Sequence, residues 1–201
     1  MKKRWISLLA VLILVLTLCV SALAAGFEAA KADFITDYSG ILTELERSEL
    51  EQRAEEISRQ YQCGVYVIVL EDYTGYSYDG SVYEAAKALY QEYELGYGEE
   101  KSGELLLVSM ADRDYALIAH GYGNTAFTEF GKNKLSEVFV DNFKEDDWYG
   151  GFSDYLEKSA SMLQSAWDGQ PLNADSDPLI GSAGIGISVL LGCGLGLLIC
   201  W

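Results

Sequence analysis

Cysteine is almost missing from the body of this 201-residue chain: Cys19, Cys193 and Cys200 sit in apolar terminal stretches, and Cys63 alone lies between them. No disulfide can close within the central region, which must be held together by core packing. With Gly64 and Val65 beside it, Cys63 is expected to be a small buried hydrophobe, not a nucleophile. Histidine is as scarce. His120 is the single one, so a Ser-His-Asp triad would have to use it, and no G-x-S-x-G elbow accompanies it. Neither EF-hand spacing nor a Gly-rich phosphate loop ending in Lys-Ser/Thr is present. Basic residues are few, and three of the 14 (Lys2, Lys3, Arg4) precede residue 25, while all 31 acidic residues follow it. The net charge of −17 therefore understates the acidity of the rest. Such a surface repels nucleic acid and anionic lipid and attracts cations, so DNA and RNA binding are excluded.

What the ends contain is apolar. Lys2-Lys3-Arg4, an apolar run from Trp5 to Val20 and then Ser21-Ala22-Leu23-Ala24-Ala25 have the three parts of a secretory signal, with cleavage expected after Ala24 or Ala25. An uncleaved anchor is the alternative. A lipoprotein is not indicated, because the bulky Leu18 precedes Cys19. At the other end, residues 168–178 (DGQPLNADSDP) have linker composition, and residues 179–201 carry no charge. As a helix they would span roughly 34 Å at about 1.5 Å per residue, enough for a hydrocarbon core of about 30 Å. Gly192 and Gly196 give a small-xxx-small spacing suited to packing on another helix. The expected organisation is a signal peptide (1–25), one extracytoplasmic domain (26–167), a linker (168–178) and a C-terminal transmembrane helix (179–201), placing the protein at the cell membrane with its soluble domain outside.

Within the domain, Thr43 and Glu46 form a capping box, and Leu50, Ala54, Ile57 and Tyr61 recur at helical spacing opposite Glu51, Arg53, Glu55, Glu56 and Arg59. Val65 to Leu70 is the strongest strand in the sequence. After the Tyr- and Gly-rich loop 73–80, Ser81 and Glu84 predict a second capping box, with Val82, Ala86, Leu89 and Tyr93 on one helical face. Glu104 to Met110 reads as a strand covered on both faces. The turn Ala111-Asp112-Arg113-Asp114 follows, and a third strand, Tyr115 to Ala119. Helices are expected over 132–143 and from about Gly151 to Trp167, separated by a turn at Lys144-Glu145-Asp146-Asp147.

The order of these elements predicts where the acids fall. Strands 65–70 and 104–110 are joined by a helix, so they are expected to be parallel with their C-terminal ends on one edge, the usual ligand side of an open α/β sheet. Asp72 and Asp112 then share that edge. The first helix runs back against its strand and returns Asp37 to the same edge. The third strand carries His120 to the opposite one. Four turns, bearing Asp37, Asp72, Asp112 with Asp114, and Asp146 with Asp147, would converge at one rim. Carboxylates so gathered either rise in pKa or hold a cation, and hard oxygen ligands suit Ca²⁺ or Mg²⁺. The rival reading is that Asp favours turns and helix caps for its own sake. A sugar platform on the Tyr73–Tyr78 loop is a minor alternative.

Asp37-Tyr38-Ser39-Gly40-Ile41-Leu42-Thr43 before an acidic helix resembles the opening of the TPM domain, a family shared by plant thylakoid-lumen proteins, an animal acetylcholine-receptor modulator and many exported bacterial proteins. The likeness continues through Val65–Leu70, Leu95-Gly96-Tyr97-Gly98, Ser102 to Val108 with Asp112-Arg113, Gly121-Tyr122-Gly123 and the stretch from Phe143 to Gly151, about residues 33–166 in all. It implies a three-layer α/β/α sandwich on a small mixed sheet. It also implies an acid phosphatase activity, calcium binding or a role in holding membrane complexes together, each of which is assigned to some members. The positions matching the family pattern are Asp37, Asp112, Arg113 and Asp146. The chain departs from that pattern at Tyr97, where an apolar residue is usual, and at Glu99-Glu100-Lys101, where the family often has Asn.

Two functions are thus expected to compete. In one, a rim of Asp37, Asp72, Asp112, Asp146 and Asp147 binds a divalent cation, Ca²⁺ ahead of Mg²⁺. Phosphomonoesters are then hydrolysed with Arg113 offsetting developing charge and Asp37 or Asp112 holding the metal or activating water. In the other, the same rim meets a membrane protein complex as an assembly, repair or modulatory factor, without catalysis.

Overall fold

The computed structural model describes residues 33–174; the expected signal peptide and transmembrane helix lie outside the described residues. No helix among the described residues is long and apolar enough to cross a membrane. The order is β1 (Ile35–Asp37), α1 (Glu44–Tyr61), β2 (Gly64–Leu70), a 3₁₀ turn (Thr74–Tyr76), α2 (Val82–Glu92), β3 (Gly103–Ser109), β4 (Asp114–His120), α3 (Gly123–Ala126), α4 (Glu129–Lys144) and α5 (Trp148–Trp167). The strands form one mixed sheet in the order β1-β2-β3-β4. β1, β2 and β3 are mutually parallel, and β4 returns antiparallel to β3.

Period-two alternation divides the core into two. Val65, Val67, Val69, Leu106 and Val108 face a cluster built with α1, α4 and α5. Tyr66, Ile68, Leu70, Leu105 and Leu107 face α2. Every residue of β2 and β3 is buried, as both-face coverage requires. Helices on both faces make the α/β layering expected from the sequence.

Several local expectations hold to the residue. Thr43 and Glu46 close the capping box of α1, and Cys63 is fully buried, its thiol pushed up to about 12 mainly by desolvation. Others are corrected. A fourth strand, β1, precedes α1; it is only three residues long, and Phe34 and Ile35 donate their N–H groups to Glu51 of α1 at 3.1 and 2.7 Å. A strand so short, held by a side chain from another element, leaves no periodic trace. The Ser81–Glu84 box does not form, because Asp79 Oδ1 takes the Ser81 N–H and Glu84 pairs with Lys87 at 3.0 Å. α4 begins earlier than expected, where the Thr128 hydroxyl accepts the Gly131 N–H, and α5 begins at Asp147, which caps it through Gly150.

The start of the expected linker is docked. Gly169 and Gln170 bond back to Ala166 and Ser165, and the Leu172 carbonyl accepts from the Thr128 hydroxyl at 2.5 Å. Thr128 opens α4 at the sheet edge where β4 ends, so the chain leaves the domain from the edge opposite the strand ends that carry Asp37 and Asp72.

One charged group sits inside the core. Glu104 on β3 is fully buried, with Oε2 accepting from Ser159 of α5 at a long 3.4 Å and Oε1 without a partner. Burial raises it to about 8; Tyr155 and Ser159 of α5 and Lys132 of α4 pull the other way. An acid whose folded pKa exceeds its unfolded value of about 4.5 contributes stability that is complete below pH 4.5 and lost as pH rises through 8. Urea denaturation of the full chain at pH 5 and pH 8 is expected to show a fall on the order of 3 kcal/mol. Glu104→Gln, which cannot ionise, is expected to flatten that slope; an unchanged slope would remove Glu104 as its source.

Candidate functional site: a split acidic rim

The rim forms because three parallel strands end on one edge. β1 closes at Asp37, whose carboxylate folds back over the next turn: Oδ1 accepts from Ser39 (3.1 Å) and Gly40 (2.8 Å), and Oδ2 from Leu42 (2.9 Å). After β2, Asp72 Oδ1 accepts the Thr74 N–H at 2.8 Å and so opens the 3₁₀ turn; that bond holds its pKa below the ordinary carboxylate range. The β3–β4 turn is tied to this loop by Met110 N–H to the Leu70 carbonyl (2.9 Å) and Ala111 N–H to the Glu71 carbonyl (2.8 Å). Tyr73, buried under the loop, donates to the Gly80 carbonyl at 3.1 Å. Its pKa is raised by desolvation and then by the nearby charges of Asp112, Asp114 and Asp72. All three carboxylates act on this one tyrosine.

A second group faces them across the turn. Arg113 adopts φ +50°, left-handed backbone that a non-glycine residue enters at a cost, and Asp146 adopts φ +60°. The two strained residues are bonded to each other. Arg113 Nη2 donates to Asp146 Oδ1 at 2.9 Å and to the Phe143 carbonyl, an end-of-helix acceptor of α4, at 2.8 Å. Its guanidinium also lies over the Trp148 ring, 5.5 Å from the centroid. Asp147 is spent as the cap of α5; a Cβ at Gly150 would stand 2.2 Å from its carboxylate oxygen, so a larger residue there would push the capping carboxylate aside.

The structure therefore brings all the expected acids to one edge but not into one site. Asp37 stands on β1, two strands from β3, about 10 Å at roughly 4.8 Å per strand. Two oxygens on one Ca²⁺ lie within about 5 Å of each other. Among the described residues no three His, Cys, Asp or Glu side chains stand where they could hold one metal ion. Asp37, Asp72 and Asp147 each satisfy a local backbone donor instead, the capping role that Asp plays in turns generally, and Asp146 is taken by the Arg113 guanidinium. Asp112 and Asp114 form no ion pair among the described residues, and Asp114 accepts only from the adjacent Tyr115 N–H. His120 lies on the opposite edge, paired in register with Gly103 and bonded through Nδ1 to the Glu100 carbonyl, remote from any of these acids.

Sequence reasoning missed the cleft beside the Arg113 latch. It has a volume of about 190 Å³ and is lined by Val108, Tyr115, Val140, Phe143 and Trp148, with Arg113, Asp114 and Lys144 contributing charge. Val140, Phe143 and Lys144 follow helical spacing on α4, a signal that reads only as one more apolar helix face until the hairpin is placed against it.

Comparison with known proteins bears on the fold and the family. The chain is similar in fold to the N-terminal domain of a protein from P. gingivalis (18% identity, 69% of this chain and 86% of that one, TM-score 0.54). It is likewise similar to the N-terminal domain of the cg2496 protein from Corynebacterium glutamicum (17%, 73% and 92%, TM-score 0.51), and to the BA42 protein from the psychrophilic bacterium Bizionia argentinensis (16%, 69% and 90%, TM-score 0.52). No curated protein matches the chain. The TPM domain matches residues 35–162. That stretch begins with β1 and ends within α5, taking in the whole sheet and both layers of helices, and so the chain belongs to the TPM domain family.

Proposed function

We propose that this chain is a membrane-anchored, extracytoplasmic TPM domain whose acidic rim is a binding surface for a membrane protein complex. The observation that carries this reading is the commitment of Arg113. One nitrogen of its guanidinium serves both the Phe143 carbonyl and Asp146, so the cation a phosphatase needs to offset developing charge is engaged in joining the β3–β4 turn to the end of α4. The membrane tether rests on the charge-free residues 179–201 and the signal-like residues 1–25. With α5 running from the rim to the opposite edge, an anchored domain points its rim away from the bilayer.

A divalent cation, Ca²⁺ ahead of Mg²⁺, belongs to this reading as an exchangeable ion. The described carboxylates do not close around one, so it would be drawn to the exposed turns that bear Asp72, Asp112 and Asp114, with water completing its shell. Phosphomonoester hydrolysis is the second reading. It is favoured by one feature: the hydrogen bonds of Arg113 leave only from Nη2, which frees Nη1 and Nε for an anion, next to an unpaired Asp112 that could activate water.

The full chain, held in detergent, separates the two. Incubated with an aryl phosphate from acid to neutral pH, it is expected to release no phosphate. Ca²⁺ at tenfold its Kd should raise the melting temperature by about 3–6 °C, a shift that Asp112→Ala abolishes. Turnover that disappears in Asp112→Ala would instead establish the phosphatase.

The latch has its own test. Arg113→Ala loses both hydrogen bonds and keeps the left-handed strain, so it should lower stability by about 1 kcal/mol, a figure held down by the exposure of the pair. Arg113→Gly relieves the strain and should fall between wild type and the alanine variant. Equal stability of all three in urea titrations would show that Arg113 holds nothing in place.

A further inference from the structure

Neither reading above uses the apolar wall of the cleft between the β3–β4 hairpin and the α4–α5 corner, although Arg113 and Asp114 of its lining enter them. We propose that it is the docking point for a basic segment of a partner protein: one Leu- or Phe-sized side chain enters the cleft while a neighbouring Lys or Arg pairs with Asp112 and Asp114. The proposal rests on the rim being a binding surface and adds the chemistry of what binds.

Size comes first. An apolar cavity of about 150 Å³ accepts a benzene molecule, so about 190 Å³ suits a single aromatic or branched aliphatic side chain and not a cofactor. The lining is of the kind found at the centre of interfaces, where aromatic residues are enriched: Tyr115, Phe143 and Trp148 beside Val108 and Val140. Phe143 and Trp148 pack against each other at 4.9 Å between ring centroids, and the Arg113–Asp146 latch fixes the corner that carries them. A receiving pocket held rigid before binding loses less entropy on closing.

Charge then selects the occupant. The two cations at the cleft are already matched, Arg113 by Asp146 and Lys144 by Asp141 at 2.7 Å. Among the lining charges Asp114 is the one with no ion pair among the described residues, and Asp112, two residues before it in the same turn, has none either. An anionic ligand reaching the free Nη1 and Nε of Arg113 would still face the carboxylates of Asp114 and Asp146 and a chain of net charge −17. A basic segment is drawn in by the same field. Arg113 over Trp148 shows that the aromatic wall already accommodates a cation.

The test uses the full chain in nanodiscs of neutral lipid and a fluorescein-labelled peptide Lys-Lys-Phe-Lys-Lys, read by anisotropy. Controls replace Phe by Ala, or every Lys by Glu. The Phe peptide is expected to bind at least about tenfold tighter than the Ala peptide, the worth of burying one such side chain, and the Glu peptide not at all. Val140→Trp, which fills the cleft, should bring the Phe peptide down to the Ala level. Asp112→Asn with Asp114→Asn should weaken binding and flatten its salt dependence. Equal binding of the Phe and Ala peptides to wild type would overturn the proposal without relying on any variant, leaving only diffuse attraction to an acidic surface. So would preference for the Glu peptide. Calcium stabilisation lost in Asp112→Ala, with no preference for Phe, would keep the rim as a binding surface and remove only the cleft. Phosphate turnover would overturn the wider reading whatever the peptides do.

Discussion

The parallel pairing of β2 with β3, in register from Gly64 opposite Gly103 to Leu70 opposite Ser109, is the constraint on which the rest of the molecule depends. Two parallel strands cannot be joined by a tight turn, so α2 must cross over one face. With both faces of these strands apolar, α1, α4 and α5 must cover the other. Once that layering exists, the C-terminal ends of β1, β2 and β3 have to share an edge, and every turn leaving that edge is brought within reach of the others. The rim follows from strand direction. It needs no attraction between its members.

What the members do there is decided by backbone chemistry. A turn at the end of a buried strand exposes N–H groups that must find acceptors, and an Asp in the turn is the nearest one. Asp37 meets three such donors, Asp72 one, and Asp147 the first turn of α5. A carboxylate already accepting backbone bonds is stabilised without a metal, so a dense set of acids can coexist without forming a cage. Asp112 and Asp114 have no ion pair among the described residues, and Asp114 lines an apolar cleft whose own cations are matched. That combination of unspent negative charge and an open aromatic pocket is the chemical profile of a surface that receives a basic, apolar partner.

The latch and the buried acid show where the fold accepts local cost. Arg113 and Asp146 both occupy left-handed backbone, and they are joined by a hydrogen bond between the hairpin and the α4–α5 corner. Strain of this kind persists only where surrounding contacts over-determine the geometry; here the Phe143 carbonyl and the Trp148 ring supply those contacts. Glu104 is the opposite case, a titratable group placed deep in the larger core beside Ser159 and Tyr155, with one oxygen unpaired. Its neutral form is the one that fits.

Much of this could be read from residue order alone. Apolar runs determined β2 and β3, a capping box marked the start of α1, the lone Cys63 read as core, and crossover topology put Asp37, Asp72 and Asp112 on one edge with His120 on the other. These features depend on periodicity and chain direction, which are written locally. Tertiary structure alone decided the rest. β1 is too short to carry a pattern and is held by Glu51 of α1. The Ser81–Glu84 box yields to Asp79 and Lys87. The rim divides because a strand spacing of about 4.8 Å separates Asp37 from the hairpin by more than one ion can bridge. The cleft exists because Val108 and Tyr115 meet Val140 and Phe143 from a different part of the chain. Which donor a carboxylate meets first, and which apolar face remains uncovered, are matters of distance in space, and sequence separation does not encode them.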